Sequence, residues 1–232
     1  MYHPPRGGGR SGYARATMQE VQVPAAGTSA SLHGRGNTVV VLGHGAGGNR
    51  RHPMLVALAD ALAGSGRAAV LYDFPYAAKG RRRPDPPAVL EATTREVAGL
   101  ALAATGARRI VHGGRSMGGR IASQVAAAGE RVDGLAFLGY PLHPPGHFEK
   151  RRDAHLPAIT APMLFVQGTR DAFAREDLLA ALLDRLGPRA ELHRVAGADH
   201  SFGVQKRSGR TPEDVFNEVR GALLAWLDRH GL

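Results

Sequence analysis

Ile110-Val111-His112-Gly113-Gly114-Arg115-Ser116-Met117-Gly118-Gly119 is the stretch that decides the fold. A short apolar run leads into G-x-S-x-G, and a helix-forming stretch follows. A serine held at a sharp turn between strand and helix projects its hydroxyl above the edge of a sheet. The flanking backbone then passes so close that Gly114 and Gly118, which carry no side chain, fit where other residues would clash. Met117 opens the helix. Its N–H, at the positive end of the helix dipole, is placed to hold a developing oxyanion.

On both sides of this stretch, continuous apolar runs alternate with amphipathic ones. Glu20–Val23, Val39–Leu42, Ala69–Tyr72, Leu135–Leu138, Met163–Val166 and Leu192–Val195 read as strands beside Ile110-Val111. Unbroken apolarity suits strands covered on both faces, as in a parallel sheet. Helical spacing links Met54, Leu55, Leu58 and Leu62; then Val97, Leu100, Ala101 and Ala104; then Leu178, Leu179, Leu182, Leu183 and Leu186, stopped by Gly187-Pro188. The last helix has a defined start, with Thr211 to cap it, Pro212 at the first position, and Glu213 and Asp214 favouring its positive end. Val215, Val219, Ala222, Leu223 and Trp226 form its buried stripe. The alternation predicts an α/β fold, a doubly wound, mostly parallel sheet flanked by helices. Two irregular segments, Phe74 to Pro87 and Tyr140 to Pro157, follow strand ends, where loops of such a sheet line the ligand crevice.

The 232 residues suit one domain over 18–232, preceded by a basic tail over 1–17 that lacks acidic residues and reads as disordered. No run approaches the ~20 apolar residues of a membrane span, and the N-terminus has no signal-peptide core. A cytoplasmic location is the default expectation. With no cysteine there is neither a disulfide framework nor a thiol nucleophile. The net charge of +10 is spread in short arginine clusters without interleaved aromatics, which argues against a nucleic-acid groove. No cofactor is expected, and no metal site either: His143 and His147 are four apart, but Pro144-Pro145-Gly146 between them prevents a helix.

A nucleophilic serine needs a base, an acid to orient that base, and oxyanion donors. In an open α/β sheet these follow in the chain order Ser, Asp or Glu, His. Asp171 lies in the turn after Met163–Val166, and His200 in the loop after Leu192–Val195. Each thus falls at the sheet edge that carries Ser116. Asp171 can also cap the stretch beginning near Ala174. Asp73 precedes Ser116 and is expected to bind backbone N–H groups in its own turn. Asp199 is too close in sequence to His200 to orient it, and His112, in a strand, reads as a core residue. Gly43-His44-Gly45-Ala46-Gly47-Gly48, after Val39–Leu42, supplies the second oxyanion donor: the Ala46 N–H, with Gly47 as the next choice. His44 braces this loop.

Together these residues resemble the α/β-hydrolase superfamily, and within it a compact dienelactone-hydrolase-like group of predicted serine hydrolases. The matching pieces are His44–Gly48, Gly113–Arg120, Gly139–Gly146, Gln167–Asp171 and Asp199–Phe202. The resemblance implies a Ser116–His200–Asp171 triad and a hydrolase fold with little or no cap domain. His44, Gly45, Gly47, Arg115 and Tyr140 are the candidate substrate-binding residues. The expected activity is cleavage of a small-molecule ester or thioester through an acyl-enzyme. Acyl transfer by the same residues is an alternative. So is a non-catalytic scaffold role, since the group also resembles the core of a eukaryotic chromatin-complex subunit.

Overall fold

A computed structural model describes residues 18–232; the expected tail over 1–17 lies outside the described residues. Eight strands form one sheet in the order β1-β2-β4-β3-β5-β6-β7-β8. They are β1 (Met18–Val23), β2 (Thr28–His33), β3 (Thr38–Gly43), β4 (Ala68–Tyr72), β5 (Arg109–Arg115), β6 (Gly134–Leu138), β7 (Met163–Gly168) and β8 (Ala190–Val195). β1 and β2 run antiparallel, β2 pairs antiparallel with β4, and the remaining pairs are parallel. Helices α1 (Pro53–Gly64) and α6 (Pro212–Arg229) cover one face; α3 (Pro87–Thr105), α4 (Met117–Ala127) and α5 (Glu176–Leu186) cover the other. The chain leaves β3 for β4 on one side and returns to β5 on the other. The strand order therefore reverses between β3 and β5, where a doubly wound sheet opens its crevice. Among the described residues no cap domain is inserted over that edge.

Close backbone approach builds the turn at the centre of this edge. Gly43 and Gly114 are register partners on β3 and β5. A Cβ at Gly114 would lie 2.6 Å from the Gly43 nitrogen, and one at Gly118 would lie 2.8 Å from the Gly43 Cα. Gly43 is thus gripped between the residues two before and two after Ser116, which ties the β3 loop to the β5 turn. Ala at 118 has no flexible neighbour to displace. Gly118→Ala is expected to cost about 3 kcal/mol, which lowers Tm by on the order of 10 °C in a chain of this size. A thermal melt within 2 °C of the parent would contradict the clamp.

Three elements depart from the expectation. β2 was not anticipated, because Thr28-Ser29-Ala30-Ser31-Leu32-His33 buries hydroxyls and an imidazole where the pattern calls for aliphatic residues. Helix α3 begins at Pro87, ten residues before the apolar spacing at Val97 announces it, since Thr93 and Thr94 occupy its buried face. Their hydroxyls bond back to the Val89 and Leu90 carbonyls, and Tyr72 Oη meets Thr94 Oγ1 at 3.0 Å. A short helix, α2 (Pro75–Ala78), also lies inside the segment expected to be irregular. At α6 the capping residues act as read: Thr211 and Asp214 form a reciprocal capping box.

His112 is a core residue of β5, as expected, and neither ring nitrogen has a partner. Burial pushes its pKa down from 6.5 to about 4. The neutral form is favoured in the fold, so this contribution is complete above pH 6.5 and is lost as pH falls from 6.5 towards 4. The loss amounts to about 3 kcal/mol. Urea unfolding of His112→Leu between pH 7 and 4 is expected to lose that much less stability than the parent. Equal losses in both proteins would remove His112 as the cause.

Candidate active site

Ser116 sits between β5 and α4 with φ 50° and ψ −112°, one of two non-glycine residues at positive φ among those described. A side chain held there carries backbone strain, of the kind that clusters at functional sites. Its N–H bonds the Leu138 carbonyl at 3.0 Å, anchoring the turn to β6. The hydroxyl lies 2.8 Å from His200 Nε2. His200 Nδ1 in turn donates to Asp171 Oδ2 at 2.7 Å. Three residues separated by up to 84 positions meet because each follows a parallel strand, β5, β7 or β8, at the same edge.

The surroundings hold this chain in one arrangement. The Asp171 side chain is fully buried while that of His200 keeps 17% exposure. Asp171 Oδ1 accepts the Phe173 N–H at 2.8 Å within its own turn; α5 starts only at Glu176 with Arg175 as its N-cap, so Asp171 does not cap that helix as the sequence suggested. Gln167 Nε2 donates to Oδ2, and its Oε1 accepts the Tyr140 N–H. The Phe173 ring stacks on His200 with centroids 4.2 Å apart. Asp199 bonds the Ser201 and Gly203 N–H groups of its own loop and stays off the imidazole. A buried acceptor on Nδ1 fixes the tautomer whose bare Nε2 faces the hydroxyl, which is the arrangement general-base activation of a serine requires.

The Ser116 hydroxyl opens into a cleft of about 500 Å³ lined by Gly45, Ala46, Arg115, Met117, His200 and residues of both irregular segments, among them Pro84, Asp85, Pro141 and Arg152. Among the described residues no acceptor takes the N–H of Ala46 or of Met117. Both remain available at the crevice, the first from the β3 loop and the second from the start of α4. The Gly47 N–H, the alternative donor, is spent on the Tyr76 hydroxyl at 3.2 Å.

Three of the expected substrate-binding residues do not line the cleft. Tyr140 is wholly buried against Phe137 and Phe165, with its hydroxyl donating to the Arg152 carbonyl. Glycine 139 turns the chain back into the sheet and takes the ring with it. His44 lies behind its loop: Nδ1 donates to the Gly45 carbonyl and Nε2 accepts the Phe74 N–H, so it is the expected brace and no more. Burial holds it below its ordinary pKa. Gly47 points away on the Tyr76 side. Gly45 and Arg115 do line the cleft. Asp73 differs as well, since it binds the Arg50 N–H of the β3 loop at 2.7 Å and not its own turn. Among the described residues no group of His, Cys, Asp and Glu is arranged to hold a metal, and no helix is long and apolar enough to cross a membrane.

Several residues of the site lay outside the sequence reading. Arg120 had a signal, since it falls one helical turn after Ser116. Gln167, at the end of β7, stood in the segment Gln167–Asp171 quoted for the resemblance but was given no role; Phe173 and Arg152 had no signal, because loop contacts bring them in.

The fold and this edge define an α/β-hydrolase architecture. The family model described as alpha/beta hydrolase domain matches residues 36–228, and the chain belongs to that family. Solved structures share the fold at low identity. The dienelactone hydrolase from Anabaena variabilis superposes with a TM-score of 0.72 at 20% identity, covering 93% of this chain and 99% of its own. A putative dienelactone hydrolase from Klebsiella pneumoniae gives 0.69 at 20% identity, with 93% and 98% covered. A serine hydrolase without lid from Xanthomonas campestris gives 0.68 at 18% identity, with 91% and 95% covered.

Proposed function

We propose that this protein is a serine hydrolase that cleaves a small-molecule ester or thioester through an acyl-enzyme on Ser116. The observation that carries the reading is the continuous relay from Ser116 Oγ to His200 at 2.8 Å and from His200 to the buried Asp171 at 2.7 Å, opening into a cleft. As Oγ attacks the carbonyl carbon, His200 Nε2 takes its proton, and Asp171 stabilises the imidazolium. The N–H groups of Ala46 and Met117 hold the oxyanion. The tetrahedral intermediate collapses, His200 returns the proton to the departing alcohol or thiol, and the acyl group stays on Ser116. Water, deprotonated by the same Nε2, then releases the carboxylic acid and restores the serine.

The test is covalent. A fluorophosphonate probe loses fluoride to an activated serine, and mass spectrometry locates the adduct. Labelling confined to Ser116, and absent from Ser116→Ala and His200→Ala, is the expected result. A folded protein that takes no label would overturn the reading.

A further inference from the structure

Among the described residues, some surface arginines are neutralised, as Arg81 is by Asp85 at 2.6 Å, Arg194 by Glu176 at 2.7 Å and Arg229 by Glu191 at 2.6 Å. Others, such as Arg82, Arg83 and Arg170, have no carboxylate partner but are exposed to water, which screens them. The three that line the cleft with Ser116 have neither a carboxylate partner nor full exposure. Among the described residues no carboxylate oxygen lies within 4.0 Å of Arg115, Arg120 or Arg152. Arg120 Nη1 donates to the neutral Gln124 Oε1 at 3.2 Å. Arg115 Nη2 donates to Ser201 Oγ at 2.8 Å, while its Nε is buried with no acceptor. The Arg152 side chain makes no hydrogen bond among the described residues, although all three are half-buried.

Such an arrangement is costly. Burial depresses the pKa of Arg120, and the neighbouring charge of Arg152 works in the same direction. The carboxylates nearby are committed elsewhere, although Asp199, held by the Ser201 and Gly203 N–H groups, and Asp171 still act on Arg115 through space. Asp85, on the cleft wall, is held by Arg81 and the Tyr76 N–H; Glu91 pairs with Arg95; Asp171 is held by His200 and Gln167. Two half-buried guanidiniums that repel each other and keep unused donors form a socket for an anion. Their forked N–H groups match phosphate or carboxylate oxygens in pairs. Charge separates the two: a phosphate monoester carries about −1.5 to −2 near pH 7, enough for both arginines, whereas one carboxylate leaves a cation unbalanced. Arg120 follows Ser116 by four residues on α4, about 6 Å along the helix axis, so the anion sits within a few bonds of the ester carbonyl.

We propose that the cleft takes an ester or thioester carrying a phosphate group, held by Arg120 and Arg152, with Arg115 adding positive potential beside Ser116. This rests on the serine-hydrolase reading. Arg82 and Arg83, exposed and without a carboxylate partner beside the rim formed by Pro84 and Asp85, extend the positive field outwards and favour capture of such a substrate.

The experiment compares matched 4-nitrophenyl esters of hexanoic acid, adipic acid and 5-phosphonopentanoic acid on the wild type, Arg120→Gln and Arg152→Gln, with melting curves to confirm folding and Arg120→Lys as the conservative variant. The expected result is a kcat/KM for the phosphonate ester about tenfold or more above that of the neutral ester, carried mainly by KM. Each Gln substitution is expected to lower the phosphonate-to-neutral ratio about tenfold, the loss of one charge-assisted contact, with part of it restored in the Lys variant. A ratio near one, or a ratio that neither Gln variant changes, overturns the proposal while fluorophosphonate labelling of Ser116 leaves the hydrolase reading intact. A preference for the adipate ester over the phosphonate overturns the phosphate assignment. If no ester turns over and no label is taken, the hydrolase reading fails. Calorimetric titration with inorganic phosphate then decides the anion site by itself: binding that disappears in Arg120→Gln supports it, and no binding overturns it.

Discussion

Ser116→Ala is expected to lower kcat towards any ester this protein hydrolyses by on the order of 10⁶, by analogy with other serine triads. The size follows from the geometry. Among the described residues the Ser116 hydroxyl has one partner, the Nε2 of His200, so its removal deletes the group proposed to form the acyl bond and leaves the base with no proton to take. The proposed oxyanion donors, the N–H groups of Ala46 and Met117, remain, and by the same analogy they are expected to leave a residual acceleration of about 10³–10⁴ over water. Because hydroxyl and imidazole act as one unit, His200→Ala is expected to cost about as much, and the double variant no more than either. The fold should not register the change. The φ of 50° at residue 116 belongs to a turn whose flanking glycines pack on Gly43, and alanine takes the same backbone, so the melting temperature is expected to stay near that of the parent. Steady-state kinetics on a 4-nitrophenyl ester beside a thermal melt checks both. A loss below tenfold would mean that another group supplies the nucleophile.

The parallel part of this architecture was legible because buried parallel strands advertise themselves. Val39–Leu42 and Met163–Val166 are apolar on both faces, and each ends in a turn rich in glycine or aspartate. The relay was legible for a related reason: residues that follow strands of one parallel sheet must emerge at the same edge, so Ser116, Asp171 and His200 could be placed together without coordinates. What escaped is what tertiary contact alone creates. β2 and the start of α3 bury threonine and serine hydroxyls that find partners in Asp73, Tyr72 and their own helix carbonyls, which no apolar count detects. Tyr140 was expected to bind substrate because it stands in the Gly139–Gly146 piece of the resemblance; the side chain instead turns into the core, where Phe137 and Phe165 receive it. Arg152 reaches the cleft from a loop without regular structure, and no spacing rule connects it to Arg120.

Asp171→Asn is expected to lower kcat by about 10⁴ with little change in KM, by analogy with the same substitution in a serine triad. The hydrogen-bond arrangement explains why so small a change disables the base. Asp171 receives three donors: the Phe173 N–H on Oδ1, and on Oδ2 both His200 Nδ1–H and Gln167 Nε2–H. Asparagine offers one oxygen and one amide that can only donate. With the oxygen towards Phe173, the amide faces His200 and Gln167. The backbone N–H cannot turn away, and Gln167 is fixed by the Tyr140 N–H on its other atom. The imidazole is the group free to yield, by moving its proton from Nδ1 to Nε2. That proton then points at Ser116 Oγ, so Nε2 donates to the hydroxyl when it ought to accept from it, and no base remains. If the amide is flipped instead, it confronts the Phe173 N–H, and the turn that positions Phe173 against the His200 ring is disturbed. Both rotamers thus spoil the base, one through its tautomer and the other through its orientation. The prediction is checked by kcat and KM across pH 6–9 together with fluorophosphonate labelling, which should slow in proportion to kcat. A variant that keeps more than a tenth of parental kcat would show that His200 takes its orientation from something other than Asp171.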